Sequence, residues 1–289
     1  MIKYAPGSGY MVDLHIHTNN SDGQYTTLQI IEMLKNLKAE IFSITDHDNL
    51  DSCYELETID KKNIKYIPGI EFSAINEKYN CHILGYNIDY KNKKLNKECE
   101  IIKNRKIEKI NTIIEYLKKE KNIKITEQEQ NKIFNKKGMI GRIDICNLLI
   151  QKGYGTKEEI YNQYLTKIPS IKTHRSDIYN IINAIKDANG ISILAHPKEI
   201  EEDYNLNLEN IIKKFIEKGI DGIEIYNSIH TKNDVERYRK IAQKYNLITT
   251  GGSDFHGKNH IERLLGTTTT EKIKIYKKAI LAGASETVE

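Results

Sequence analysis

The sequence predicts an α/β protein: a body of parallel βα units into which a mostly α-helical domain is inserted. Three observations carry this reading. Short apolar runs alternate with amphipathic stretches along most of the chain, the alternation fails between about residues 91 and 175, and histidines and carboxylates collect where the apolar runs end.

The expected strands, in chain order, are Met11–His17, Glu40–Thr45, Ile64–Phe72, Cys81–Asn87, Gly190–Ala195, Asp221–Tyr226 and Leu247–Gly252. Between them, helical periodicity covers Thr27–Lys38, Asp177–Asn189, Leu208–Lys218 and Asp234–Tyr245. Thr26 or Thr27 can cap the first of these helices, and Asn189-Gly190 and Lys218-Gly219 can close two others. About seven strands of this kind suggest a barrel or a strongly curved parallel sheet. In the interrupting segment every pattern is helical: Leu95–Glu120, Thr126–Asn135, Gly141–Lys152 and Lys157–Tyr164. The expected domains are therefore a discontinuous body, 1–90 and 176–289, and a helical insertion, 91–175.

Composition sets outer limits. With 289 residues, 39% hydrophobic and 29% charged, the chain can bury a substantial core. No run approaches the ~18–20 apolar residues of a membrane helix. The start lacks a basic region followed by an apolar one, so no secretory signal is expected. Cys53, Cys81, Cys99 and Cys146 are far apart and form no CxxC pair, which argues against a disulfide framework or a thiolate zinc site. These features imply a cytoplasmic protein with no membrane partner and no obligate protein partner. Charge is uneven: residues 91–137 hold 15 Lys or Arg against 7 Glu, while the rest of the chain is mildly acidic. Such a segment can attract phosphates or RNA, although it can equally be a solvated helical surface.

The chemistry lies at the strand ends. In Val12-Asp13-Leu14-His15-Ile16-His17, alternation puts Val12, Leu14 and Ile16 on one face and Asp13, His15 and His17 on the other. Two imidazoles at i and i+2 can reach one ion. The pattern then recurs: Asp46-His47-Asp48, Glu71, His82, His196 and Asp254-Phe255-His256 all lie at the edges of expected strands. Strand ends of a parallel βα body share one rim, so these residues converge there. A His/Asp/Glu set without cysteine suits Mn²⁺, Fe²⁺ or Zn²⁺, and multinuclear metal-assisted hydrolysis is the leading class. No GxSxG elbow or GxxxxGK[ST] loop competes with it.

Together these blocks resemble the polymerase and histidinol phosphatase (PHP) superfamily. The resemblance rests on His15-Ile16-His17-Thr18, Ser21-Asp22-Gly23, Ile44-Thr45-Asp46-His47-Asp48, Pro68-Gly69-Ile70-Glu71-Phe72, His82, Ala195-His196-Pro197 and Gly252-Ser253-Asp254-Phe255-His256. It implies a distorted (βα)₇ PHP barrel carrying three divalent metal ions, Mn²⁺ foremost and Fe²⁺ or Zn²⁺ otherwise. By the same resemblance the first ion would take His15, His17, Glu71 and Asp254. The second would share Glu71 and add His82 and His196, and the third would take Asp22, His47 and His256. Glu71, Asp254 and His256 would act in the reaction itself, and Asp13 and Asp46 would orient imidazoles.

Within the superfamily the chain is most similar to the branch acting on nucleoside 3′,5′-bisphosphates and on RNA 5′ ends. That similarity lies in Ile140-Gly141-Arg142, Lys152-Gly153-Tyr154, Asp221–Asn227, His230-Thr231 and Gly251–Gly257. Relatives commonly read Gly-Arg-Pro-His where this chain has Gly141-Arg142-Ile143-Asp144. The expected activity is phosphate release from a small nucleotide, such as a nucleoside 3′,5′-bisphosphate, by metal-activated hydroxide attacking phosphorus in line. Arg142, Arg175 and His230 are the candidates for binding substrate phosphate, while His174 and His260 read as surface residues. The alternatives are a 5′-3′ exoribonuclease on short RNA, a histidinol-phosphate phosphatase, and a non-catalytic polymerase-associated module.

Overall fold

Pairing of short, β-branched apolar runs and capping of amphipathic ones explain most of the elements in the computed structural model. The structure describes residues 11–76, 79–166, 168, 173–258, 260 and 262–266. The chain start, on which the reading of targeting rests, lies outside the described residues. In order, the elements are β1 (Met11–Asp13), α1 (Thr27–Asn36), β2 (Ala39–Phe42), α2 (Asp51–Thr58), β3 (Lys65–Tyr66), β4 (Gly69–Asn76) and β5 (Tyr79–Tyr86). Then come α3 (Lys93–Glu120), α4 (Glu127–Phe134), α5 (Arg142–Gln151) and α6 (Lys157–Ile160), the last running into a π-turn over Tyr161–Leu165. The chain continues with β6 (Ser176–Asp177), α7 (Ile178–Asp187), β7 (Ile191–Leu194), α8 (Pro197–Tyr204), α9 (Leu208–Glu217), β8 (Gly222–Tyr226), α10 (Lys232–Lys244) and β9 (Ile248–Gly251).

The described chain forms two compact units, one of residues up to Glu98 and from Ser176 onward, the other Cys99–Arg175. In the first unit the strands lie in two sheets, β1-β2-β3 and β6-β4-β5-β7-β8-β9. Two seams of backbone contact connect them. Beyond β1 and β9, Ile16 bridges Phe255, and His17 N–H donates to the Phe255 carbonyl at 2.9 Å. Beyond β2, His47 bridges Glu71 of β4, and Asp48 N–H donates to the Glu71 carbonyl at 2.8 Å. Following pairings and seams, β1, β2, β4, β5, β7, β8 and β9 form a circuit, with β3 and β6 as short additions. Among the described residues no continuous ladder closes this circuit into a barrel, and the two seams are where the pairing is reduced to single bridges.

Sequence periodicity alone missed three features. β5 runs antiparallel to both β4 and β7. The connection between Asn76 and Tyr79 is far too short for the crossover a parallel pair needs. The run Ile64–Phe72 divides into β3 and β4 around Pro68, which has no N–H to give a ladder. Helices α2 and α8 are short and polar and carry little periodic signal.

The ring encloses Val12, Leu14, Ile41, Ile67, Leu84, Tyr86, Ile193 and Ala195. A second layer packs α1 and α2 on β2 through Ile16, Ile30, Ile31, Leu34, Phe42, Ile44 and Leu56. Ile16 thus joins a different layer from Val12 and Leu14, because the β1 ladder ends at Asp13. The unit Cys99–Arg175 has its own core, with Ile113, Leu117, Ile145, Leu149, Ile160 and Leu165 at its centre. No helix among the described residues is long and apolar enough to cross a membrane.

Candidate metal centre

The histidines reach one place because backbone contacts hold each strand end. Asp254 N–H donates to the His15 carbonyl at 2.8 Å, stitching the loop after β9 to the chain after β1. A Cβ on Gly252 would lie 2.2 Å from the Cβ of His15, so only glycine permits this approach. Asp254 (φ 55°) and His196 (φ 20°) both occupy left-handed backbone, conformations that non-glycine residues keep only where their surroundings enforce them. Asp46 accepts from Thr18 N–H (2.7 Å), Thr18 Oγ1 (2.7 Å) and Ser21 Oγ (2.6 Å), and from the Ser52 hydroxyl, which folds the loop leading to Asp22. Asp13 accepts from Ser253 N–H at 2.9 Å and Gly266 N–H at 2.8 Å. Neither aspartate orients an imidazole as expected; both fasten loops, because their carboxylates meet backbone N–H groups and hydroxyls first.

Glu71, central in β4 and fully buried, is the hub. Its Oε2 lies 3.1 Å from His15 Nε2, 3.0 Å from His17 Nε2 and 3.2 Å from His47 Nδ1. Its Oε1 lies 3.2 Å from His82 Nδ1 and 3.0 Å from His196 Nε2. The two oxygens thus face two different histidine sets, the arrangement a bridging carboxylate requires. Asp254 Oδ1 approaches His17 Nε2 at 3.2 Å and His15 Nε2 at 3.4 Å. Asp22 lies 3.3 Å from His256 Nε2 and 3.9 Å from His47 Nε2. His256 Nδ1–H donates to the Asp254 carbonyl at 2.8 Å, which leaves its Nε2 turned toward Asp22.

Among the described residues, four donor groups of ion-binding size follow: His15/His17/Glu71/Asp254, His17/Asp22/His47/His256, His47/Glu71/His82 and His82/His196/Glu199. All nine side chains named from the sequence as ligands are in them, with Glu199 in addition. His15 Nε2, His17 Nε2, His47 Nδ1, Glu71 Oε2 and Asp254 Oδ1 are buried and make no hydrogen bond. Buried polar atoms without partners are costly. Five of them converging on one point suit divalent cations.

The electrostatics agree with a site built for positive charge. Burial opposes charge on His15, yet Glu71, Glu224 and Asp254 outweigh it and hold its pKa well above the usual value. His17 rises to about 9: burial opposes this, and the neighbouring Asp254 and Glu71 carboxylates overcome it. Burial is also the largest influence on His47, where it prevails, lowering the pKa to about 3 with help from His17 and His82. Burial would raise Glu71 and Asp254, but the surrounding histidines hold both well below the carboxylate range.

Residues that sequence reasoning passed over support the ligands. Glu224 in β8 places Oε1 3.0 Å from His15 Nδ1, while its Oε2 accepts from His196 N–H and Asn227 Nδ2, each at 2.9 Å. Glu199 lies 3.0 Å from His196 Nδ1, one helical turn beyond it. The i, i+3 spacing of His196 and Glu199 was the available signal; Glu224 lay inside the Asp221–Asn227 block already noted as similar to the family branch.

The three substrate candidates separate. His230, in the first unit, donates from Nδ1 to the Ile225 carbonyl at 2.8 Å, leaving Nε2 buried without a partner. Burial lowers its pKa, so the ring is neutral. Arg142 and Arg175 lie in the second unit and share a neighbourhood there: Lys109 is pushed down to about 8 by burial and by Arg142, Arg175 and Lys106. Arg142 opens α5, where Asp144 Oδ2 accepts from Gly141 N–H at 2.8 Å. Asp144 therefore caps its own helix.

Comparison with known proteins adds three findings. The chain is 24% identical over 261 residues to a 3′,5′-nucleoside bisphosphate phosphatase of Chromobacterium violaceum, covering 89% of this chain and 91% of that protein. It is 27% identical over 256 residues to the 5′-3′ exoribonuclease Rnm of Escherichia coli, covering 84% of each. In fold it matches the crystal structure of a presumed metal-dependent phosphoesterase from Bifidobacterium adolescentis, with a TM-score of 0.78, 24% identity and 98% and 99% of the two chains covered. The PHP domain model matches residues 13–228, a span that contains seven of the nine ligand candidates. On that match, the chain belongs to the PHP domain family.

Proposed function

We propose that this metal-dependent phosphoester hydrolase releases phosphate from a small nucleotide such as a nucleoside 3′,5′-bisphosphate. The observation that carries the reading is the division of Glu71, with Oε2 toward His15, His17 and His47 and Oε1 toward His82 and His196. That arrangement supports a cluster of three divalent ions, Mn²⁺ foremost. His15, His17, Glu71 and Asp254 would hold the first, Glu71, His82 and His196 the second, and Asp22, His47 and His256 the third. The chemistry such ions supply is a water of lowered pKa and neutralisation of phosphate charge.

The chain's own residues determine how that chemistry is aimed. Glu71 and Asp254 stay ionised at neutral pH and offer fixed negative charge at the centre. His230, neutral and with its Nδ1 proton committed to Ile225, presents Nε2 as an acceptor. A buried acceptor suits a sugar or departing hydroxyl better than an ionised phosphate oxygen. Arg142 and Arg175 are proposed as phosphate contacts, since a guanidinium fork matches phosphate oxygens. The bisphosphate phosphatase relative supports the substrate class.

The second reading is 5′-3′ exoribonuclease activity on short RNA, favoured by the cationic group of Lys106, Lys109, Arg142 and Arg175 and by the exoribonuclease relative. One experiment separates the readings: Mn²⁺-dependent release from adenosine 3′,5′-bisphosphate, with histidinol phosphate and a 5′-phosphorylated oligoribonucleotide assayed in parallel. Preferential turnover of the bisphosphate is the expected result. Preference for the oligoribonucleotide, with a salt dependence that steepens with its length, would replace this reading with the nuclease. Preference for histidinol phosphate would overturn both.

A further inference from the structure

Resting on the reading that the cluster holds metal ions, we infer that Arg263 is a positioning residue joining two ligand groups through one guanidinium. Its Nη1 donates to Oδ2 of Asp254, and its Nη2 donates to Oε1 of Glu199 at 3.0 Å. Each carboxylate then faces a ligand group with its other oxygen. Asp254 Oδ1 lies 3.2 Å from His17 Nε2 and 3.4 Å from His15 Nε2. Glu199 Oε2 lies 3.0 Å from His196 Nδ1, whose Nε2 in turn faces Glu71 Oε1.

This arrangement has two consequences. With Oδ2 occupied by Arg263, Asp254 offers a single oxygen to the centre, in a loop whose backbone is already in left-handed geometry (φ 55°). Glu199 Oε2, 3.0 Å from His196 Nδ1, favours a proton on Nδ1 and a lone pair on Nε2, the atom that faces Glu71. A carboxylate behind a ligating imidazole fixes its tautomer and raises its basicity. The side chain of Arg263 is 16% exposed, and both terminal nitrogens are committed to carboxylates. Its Nε makes no hydrogen bond, so a phosphate contact and a positioning role are separated by the KM readout. Lysine would carry the charge but could not span both carboxylates with the planar fork.

The test is Mn²⁺ binding by equilibrium dialysis with metal analysis on wild type, Arg263→Ala, Arg263→Lys and Glu199→Gln, alongside kcat and KM. Thermal unfolding of each metal-free variant serves as the folding control. Arg263→Ala is expected to weaken Mn²⁺ binding about 10–100-fold and to lower kcat while leaving KM within about threefold. Arg263→Lys should recover part of the affinity, and Glu199→Gln combined with Arg263→Ala should add little to Arg263→Ala alone. If Arg263→Ala does not fold, Arg263→Lys and Glu199→Gln carry the test, each expected to lose affinity. Wild-type affinity in the variants with a raised KM would overturn the role and make Arg263 a substrate contact. A wild type that takes up no Mn²⁺ would instead overturn the metal reading on which the role rests.

Discussion

Glu224 Oε1 sits 3.0 Å from His15 Nδ1, and neither side chain is exposed to solvent. That pairing commits the Nδ1 proton, so the lone pair of His15 is on Nε2, the atom facing Glu71 and Asp254. The same carboxylate anchors His196 through its backbone N–H. Glu224→Gln keeps size and shape but can satisfy either tautomer of His15. It should weaken Mn²⁺ binding by about 10–100-fold, measured by competition with a chelating dye. Wild-type affinity would mean that His15 is oriented by its strand alone.

Glu71→Gln tests the hub itself. The substitution removes one buried negative charge that lies within 3.2 Å of five imidazoles. The metal-free fold should survive, because the imidazoles whose pKa Glu71 helps to raise can give up their protons when its charge is removed. Phosphate release should fall by about 10²–10³-fold, the range seen when electrostatic stabilisation of a transition state is lost. A circular dichroism spectrum like that of wild type, with near-normal turnover, would remove Glu71 from the bridging position.

Most of the nine ligand candidates could be read from the sequence because the chemistry is local: they sit at the edges of apolar runs, whereas Asp22 followed only from the family resemblance and His82 lies near the start of its run. Glu199 and Arg263 could not, since their role depends on a contact across 64 residues of chain. The seams at Ile16–Phe255 and His47–Glu71 were equally hidden. A bridge of one residue pair leaves no periodicity, whereas the antiparallel β4–β5 pair could have been deduced from the missing crossover. Asp13 and Asp46 show the opposite failure. Their placement beside histidines invited a role that backbone N–H groups and hydroxyls had already taken.

Metal loading should release protons. In the metal-free chain His17 titrates near 9, and His15 and His196 also lie well above the ordinary value of 6.5, so all three carry protons at pH 7.5. Ligation requires their neutral forms. Calorimetry of Mn²⁺ binding in buffers of different ionisation enthalpy should therefore report net proton release, and affinity should rise with pH up to about 9. Stability of the metal-free chain runs the other way. A raised histidine pKa stabilises fully below 6.5 and loses that contribution as pH climbs through the folded value, near 9 for His17. His47, lowered to about 3, acts at the other end, and its contribution is lost as pH falls from 6.5 toward 3. Metal uptake with no proton release would contradict these charge states.

Gly252→Ala examines whether backbone packing sets the ligand geometry. The added methyl would meet His15 Cβ at 2.2 Å and His15 N at 2.3 Å, atoms that cannot rotate away. The segment after β1 that carries His15 must shift from the β9 loop, and the Asp254 N–H to His15 carbonyl bond must lengthen with it. Overpacking of this kind costs about 1–3 kcal/mol, read as a lower midpoint in urea. Mn²⁺ affinity should fall too, because His15 and Asp254 belong to one donor group. Gly141→Ala is the control: a methyl there meets nothing within 4 Å, and the backbone is extended (φ −157°). Its cost should stay under about 1 kcal/mol, the scale of a changed helix cap, with metal binding intact. Equal losses of metal affinity in the two variants would show that the Gly252 contact does not govern the site.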